Sequence, residues 1–103
     1  MGGTTLKLPA IHPGEFLAED FMKPVGLSSN RLAKDLGIPA SRVLEIVNGR
    51  RSISADTALR LGRYFGTSAK FWLNLQSRYD LDVARDDVGA AIERGVVPRE
   101  SIS

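Results

Sequence analysis

Apolar residues recur at helical spacing in five successive stretches of the chain, each bounded by residues that start or stop helices. In HPGEFLAEDFMKP, Pro13 opens a first helix, Glu15 complements its N-terminal dipole, and Leu17 and Phe21 fall at i and i+4 before Pro24 and Gly26 end it. Ser28 is the N-cap of a second helix carrying Leu32, Ala33 and Leu36, with Arg31 and Lys34 outward and Gly37 as its stop. A third starts at Pro39, whose fixed φ suits a first helical turn. Ser54 caps a fourth, in which Asp56 lies in the first turn and Ala58, Leu61, Gly62 and Phe65 form the buried stripe, closed by Gly66. Ser68 caps a fifth, in which Phe71, Trp72, Leu75 and Tyr79 recur at helical spacing. From Asp80 the composition shifts, and Asp86 to Arg94 is expected to form at most a short helix, limited by Gly89, Gly95 and Pro98. Strand signals and internal repeats are scarce, so the fold class is all-α with about five helices.

The third stretch divides most sharply. On a wheel of about 100° per residue, Glu45 and Asn48 fall close to Ser41, while Val43, Ile46 and Val47 gather on the opposite side. Leu44 lies near the edge of the polar face and Arg42 on its flank. A short helix that anchors by one face and offers the other, preceded by a helix ending at Gly37, is the helix-turn-helix pattern. Its second helix is built to enter the major groove of DNA. Asn48-Gly49 then tolerates positive φ, and Arg50 and Arg51 follow where a loop can reach the flanking backbone; two solvated arginines in a turn are the competing reading.

Charge strengthens the DNA reading. The formal net charge is only +2, but residues 31–70 hold eight Lys and Arg against three acids, whereas residues 80–103 hold three Arg against six acids. The basic block coincides with the helix-turn-helix, as a phosphate-binding surface requires. Arg60 and Arg63 lie off the stripe of their helix and are expected to be solvated.

The remaining composition excludes several classes. A length of 103 residues fits one domain, organised as an N-terminal arm (1–10), a helix-turn-helix domain (11–84) and an acidic C-terminal tail (85–103). The absence of Cys removes disulfides and thiolate metal sites, and a single histidine, His12, argues against a histidine zinc site or a catalytic triad. His12 is expected to cap or pack. Glu15, Glu19 and Asp20 lie near it, but Glu15 and Glu19 at i and i+4 read as a solvated helix face, so no catalytic residue, metal or cofactor is assigned. No apolar run approaches the roughly 18 to 20 residues of a membrane span, and residues 1–13 lack the apolar core of a signal peptide, so a cytoplasmic protein is expected, on the nucleoid when bound to its operator. Leu73, Leu81 and Val83 widen the apolar surface of the fifth helix beyond one stripe and suggest a homodimer interface.

Taken together, HPGE, the NGRRSIS turn, ADTALRLGRYFGTS and FWLNLQ resemble the HigA-type antitoxins, addiction-module antidotes built on the lambda-repressor-like (Xre or Cro type) helix-turn-helix domain. The resemblance covers about residues 11–84. It implies a dimer that neutralises a HigB-like mRNA-cleaving ribonuclease and represses its own operon at a palindromic operator. By position, Ala40, Ser41, Arg42 and Glu45 match the groove-facing residues of the recognition helix, and Asn48, Arg50 and Arg51 match the turn that meets the backbone. Pro39 departs from the pattern, standing where related domains often carry a capping Ser.

Chemistry assigns the roles within that set. Arg42 can pair bidentately with guanine, Ser41 can bond a base or a phosphate, and Glu45 can accept from cytosine or orient Arg42. Ser29, Asn30 and Arg31 join the phosphate-contacting group. Two alternatives share these residues: a stand-alone Xre-type regulator without a toxin, and a protein-binding module that has lost DNA binding.

Overall fold

A computed structural model describes residues 9–100. The N-terminal arm expected over residues 1–10 therefore lies almost wholly outside the described residues, as do residues 101–103. Helices form where the apolar spacing predicts them: α1 (Pro13–Phe16), α2 (Ser29–Leu36), α3 (Ala40–Val47), α4 (Ala55–Phe65) and α5 (Ala69–Gly95). Three serines outside them act as N-caps. The hydroxyls of Ser28, Ser54 and Ser68 accept from the backbone N–H of Arg31, Thr57 and Phe71 at 3.1, 3.2 and 3.0 Å.

The first helix is less regular than its pattern. After Phe16 the turn widens into a π segment, Leu17–Met22, in which the Lys23 N–H reaches back five residues to the Ala18 carbonyl. A 3-10 turn, Lys23–Val25, then tightens the exit. Pro24 sits in that turn and has no N–H to continue the wider ladder, which accounts for the change of pitch. The widened turn holds Leu17 and Met22 in the core together and lays Phe21 against Phe65 and Trp72, with ring centroids 5.1 and 4.8 Å apart.

The core is shared by all five helices: Leu17, Leu32, Val43, Ile46, Leu61 and Trp72 are at most 1% exposed. Trp72, a core residue as its spacing predicts, donates its indole N–H to Thr67 Oγ1 at 2.8 Å, so its one polar atom is satisfied inside. Helix α2 packs chiefly on α3, and α4 on α5.

Two elements differ from the sequence expectation. Pro39 stands one residue outside α3 with φ −63° and ψ 144°, an extended cap position, so the helix begins at Ala40. More substantially, α5 does not stop near Asp80. It runs unbroken for 27 residues through Gly89 to Gly95, crossing the 84/85 boundary drawn from composition. One interior Gly costs about 1 kcal/mol, too little to end a helix rich in Ala and Arg. Beyond Val83 every α5 residue is exposed except the half-buried Gly89, so the second half of the helix projects from the bundle. The radius of gyration, 17.7 Å, reflects this; a compact domain of 100 residues would measure about 13 Å. Among the described residues, no helix is long and apolar enough to cross a membrane.

Candidate nucleic-acid interface

The interface is built by fixing α3 from three sides. The turn from α2 is made by Gly37 at φ 74°, a left-handed conformation that glycine adopts without a Cβ penalty. Arg60 of α4 braces that turn: one guanidinium nitrogen donates to the Leu36 carbonyl at 2.8 Å while Nε holds Asp56 at 2.7 Å. The expectation that Arg60 is merely solvated is therefore corrected. It neutralises an orphan carbonyl at the C-terminal end of α2, where a cation also suits the helix dipole.

From the other end, α1 presses on the last turn of α3. A Cβ built on Gly14 would lie 1.8 Å from the Ile46 carbonyl oxygen, so only glycine permits this approach. The backbone N–H of Gly14 in turn donates to His12 Nδ1 at 2.9 Å. His12 is thus the N-cap of α1, in keeping with the expected capping role, and its ring stands edge-on to Tyr79 at 4.8 Å. Burial pushes the His12 pKa below 6.5 despite the opposing pull of Asp80, the Arg51 backbone and Glu15.

The exit from α3 is a Schellman turn. Gly49, at φ 75°, donates to the Ile46 carbonyl at 3.0 Å, and Arg50 N–H reaches the Glu45 carbonyl at 2.8 Å. Asn48 closes the last turn onto Leu44 at 2.9 Å. Further along the loop, Ile53 N–H donates to the Gln76 side-chain oxygen at 2.8 Å, and Gln76 Nε2 donates to Asp80 at 2.9 Å. Gln76 is buried and ties the loop carrying Arg50 and Arg51 to α5. Sequence reasoning missed it; its position inside the helical stripe of FWLNLQ was the available signal.

Within this frame, Val43 and Ile46 point into the core, and Ala40 and Val47 lean half-buried against it. Ser41 and Leu44 are exposed, and Arg42 and Glu45 are half-exposed. Among the described residues, Arg42 and Arg50 form no ion pair. Glu45 does not orient Arg42, as one sequence reading had it. Its carboxylate holds Arg51 Nε at 2.6 Å, because the Schellman turn folds the chain back over the end of α3.

Ser29, Asn30 and Arg31 open α2, with Ser29 half-buried and the other two exposed. Arg31 is turned along its own helix, its Nε 3.1 Å from both oxygens of Asp35. Asp35 also accepts from the Tyr64 hydroxyl at 2.7 Å, and that hydrogen bond, against the opposing effect of desolvation and with help from Arg31, holds its carboxyl below the ordinary value. On α5, Leu73 is half-buried and packs against the core, Val83 is half-buried, and Leu81 is exposed. The three are therefore not one open surface.

A helix pair crossing at a glycine turn, with the second helix braced from below and polar above, defines the class: a helix-turn-helix protein. The sequence matches the helix-turn-helix family over residues 19–72. Virulence-associated protein I of Dichelobacter nodosus is 57% identical over 81 residues, 79% of this chain and 75% of that protein. An addiction module antidote protein of the HigA family from Coxiella burnetii has the same fold, with a TM-score of 0.85 at 53% identity over 88% of this chain and 99% of that one. The Pseudomonas aeruginosa antitoxin HigA, solved with the higBA promoter, gives a TM-score of 0.86 at 47% identity, again over 88% of this chain and 99% of its own. The chain belongs to the helix-turn-helix family, among the HigA-type addiction-module antidotes.

Proposed function

We propose that this chain is the antitoxin of a type II toxin–antitoxin module, which neutralises a HigB-like mRNA-cleaving toxin and represses its own operon by binding a palindromic operator. The observation that carries the DNA half is the outward face of α3, fixed by Gly14, Arg60 and Gln76, on a fold shared with an antitoxin solved on promoter DNA. In this reading Arg42, with Ser41 and Ala40 beside it, meets base edges from α3. Ser29, Asn30, Arg31, Asn48, Arg50 and Arg51 line the flanks and contact phosphates. Glu45 holds Arg51 in place for that contact and is less available to a cytosine than its position on the helix implies. Arg31 must leave Asp35 to reach a phosphate.

A palindromic operator calls for two copies, whose recognition helices enter successive major grooves roughly 34 Å apart. The projecting half of α5 supports the dimer: Leu81, Val88 and Ile92, spaced seven and four residues apart, are 51%, 44% and 51% exposed and lie along one helical face. That stripe takes up Leu81 of the interface expected at Leu73, Leu81 and Val83. Val83, two residues further on, turns to the opposite side of the helix and Leu73 packs against the core, so the centre of the interface moves outward along α5.

A gel-shift titration with the promoter of the chain's own operon tests the repressor, and co-purification with the product of the adjacent reading frame tests the antitoxin. A promoter shift at low salt and a stable complex with a small basic ribonuclease are expected. No shift would remove the repressor, and no complex would remove the antitoxin.

A further inference from the structure

Helix α1 and the π segment after it turn Pro13, Gly14 and Leu17 inward, Gly14 against the end of α3, and leave their other side uncovered. There a groove of about 220 Å³ runs between the segment of Pro9 and Ile11 and α5, floored by Ile11, Phe16 and Leu75 and closed by Asp82. Over the same Ile11 and Phe16 it continues into a shallower concavity of about 230 Å³ whose other walls are Glu15, Glu19 and Asp20. Ile11 is 51% exposed, an apolar side chain presented to solvent at the junction of the two.

We propose that this groove is the docking surface for the toxin, and that its occupant is a basic protein face presenting an apolar side chain over Ile11 and Phe16. The inference rests on the antitoxin reading above. Its warrant is charge complementarity on an apolar floor: four carboxylates line the two concavities with Arg78 the one cation among their lining residues. Glu19 pairs with Lys23 at 2.6 Å and Asp82 with Arg85 at 3.6 Å, while Glu15 and Asp20 form no ion pair among the described residues. The segment holding α2, α3 and the following loop is basic, so one molecule carries two faces of opposite sign. An enzyme that cleaves RNA must present cations to phosphates, and such a surface is drawn to carboxylates and repelled by the DNA-facing side. A further consequence is that toxin and operator occupy separate regions, the outer side of α1 and the face of α3, and bind together.

The test is a calorimetric titration of the full chain with the purified product of the adjacent reading frame, alongside a promoter gel shift. Ile11→Lys and Asp20→Lys should each weaken the toxin complex by about tenfold or more. The Asp20→Lys loss should shrink at high salt, and both variants should keep the promoter shift and the wild-type melting temperature; Ile11→Val should bind as wild type. Unchanged toxin affinity in both lysine variants would overturn the proposal, as would a change in their sedimentation, which would give the groove to a second copy of the chain. If the wild-type chain shifts the promoter but binds no such product, the antitoxin reading and the groove fall together. If the wild type binds and the variants bind equally, only the groove falls.

Discussion

Arg42 and Arg51, both proposed to meet DNA, are held differently, and that difference sets what each substitution does. Arg42 forms no ion pair among the described residues and flanks the exposed face of α3, whereas Arg51 is tethered to Glu45 at 2.6 Å. Replacing Arg42 with Ala should cost about 1 to 3 kcal/mol of operator binding and relax sequence preference. Arg51→Ala should weaken every duplex alike and lower the salt slope by about 1. Fluorescence anisotropy on promoter and scrambled duplexes across a salt series separates the two; an Arg42→Ala variant that kept affinity and preference would take base reading away from this residue.

His12 makes a prediction of a different kind. Its Nδ1 must be unprotonated to accept from Gly14, and burial lowers its pKa below 6.5. The unfolded chain therefore takes up the proton first as the pH falls. Stability should be complete above pH 6.5 and decline as the pH drops from there through the folded-state value. Thermal melts of wild type and His12→Ala should show that slope in the wild type only, on top of a cap loss of about 0.5 to 2 kcal/mol at neutral pH. An identical pH slope in both would show that His12 is not its source.

At the scale of elements, the recognition helix depends on contacts from outside the motif. Arg60→Ala leaves the Leu36 carbonyl without its donor and Asp56 without its partner, and should destabilise the fold by about 1 to 3 kcal/mol. Gly14→Ala places a methyl group 1.8 Å from the Ile46 carbonyl oxygen and should cost at least as much, since backbone must move. Chemical denaturation measures both; a Gly14→Ala variant as stable as wild type would mean that α1 and α3 are not held together as described.

These braces also mark the limit of what sequence discloses. The caps at Ser28, Ser54 and Ser68 and the stops at Gly37 and Gly66 were legible because each acts within one turn of its own position. So was the inward face of α3, since Val43 and Ile46 follow helical periodicity. Arg60 to Leu36 and Gln76 to Ile53 join residues 24 and 23 positions apart, and no local pattern announces them. The pairing of Glu45 with Arg51 was hidden because it depends on how the Schellman turn folds back. The continuous α5 was hidden because Gly89 and the acidic composition after Asp80 suggested a break, whereas helix propagation overrides one weak residue. The DNA and toxin contacts themselves belong to complexes and are proposals from chemistry and kinship.

The whole molecule is a small bundle with a lever. Half of α5 leaves the core with an apolar stripe that no other described element covers, an arrangement that favours pairing with another copy. Changing Val88 and Ile92 together to Asp should give a folded monomer by sedimentation, with weaker operator binding, because two half-sites are then engaged independently. A double variant that remained dimeric would move the interface off this stripe. Dimer, operator and toxin would then occupy separate regions: the far end of α5, the face of α3, and the outer side of α1.

The most direct test of the central claim is an anisotropy titration of the wild-type chain against its own promoter duplex and a scrambled duplex of equal length at physiological salt. Specific recognition by the α3 face predicts that the promoter binds tighter by a factor of about 10³ or more. Equal affinity for both duplexes, or no binding to either at low salt, would contradict it.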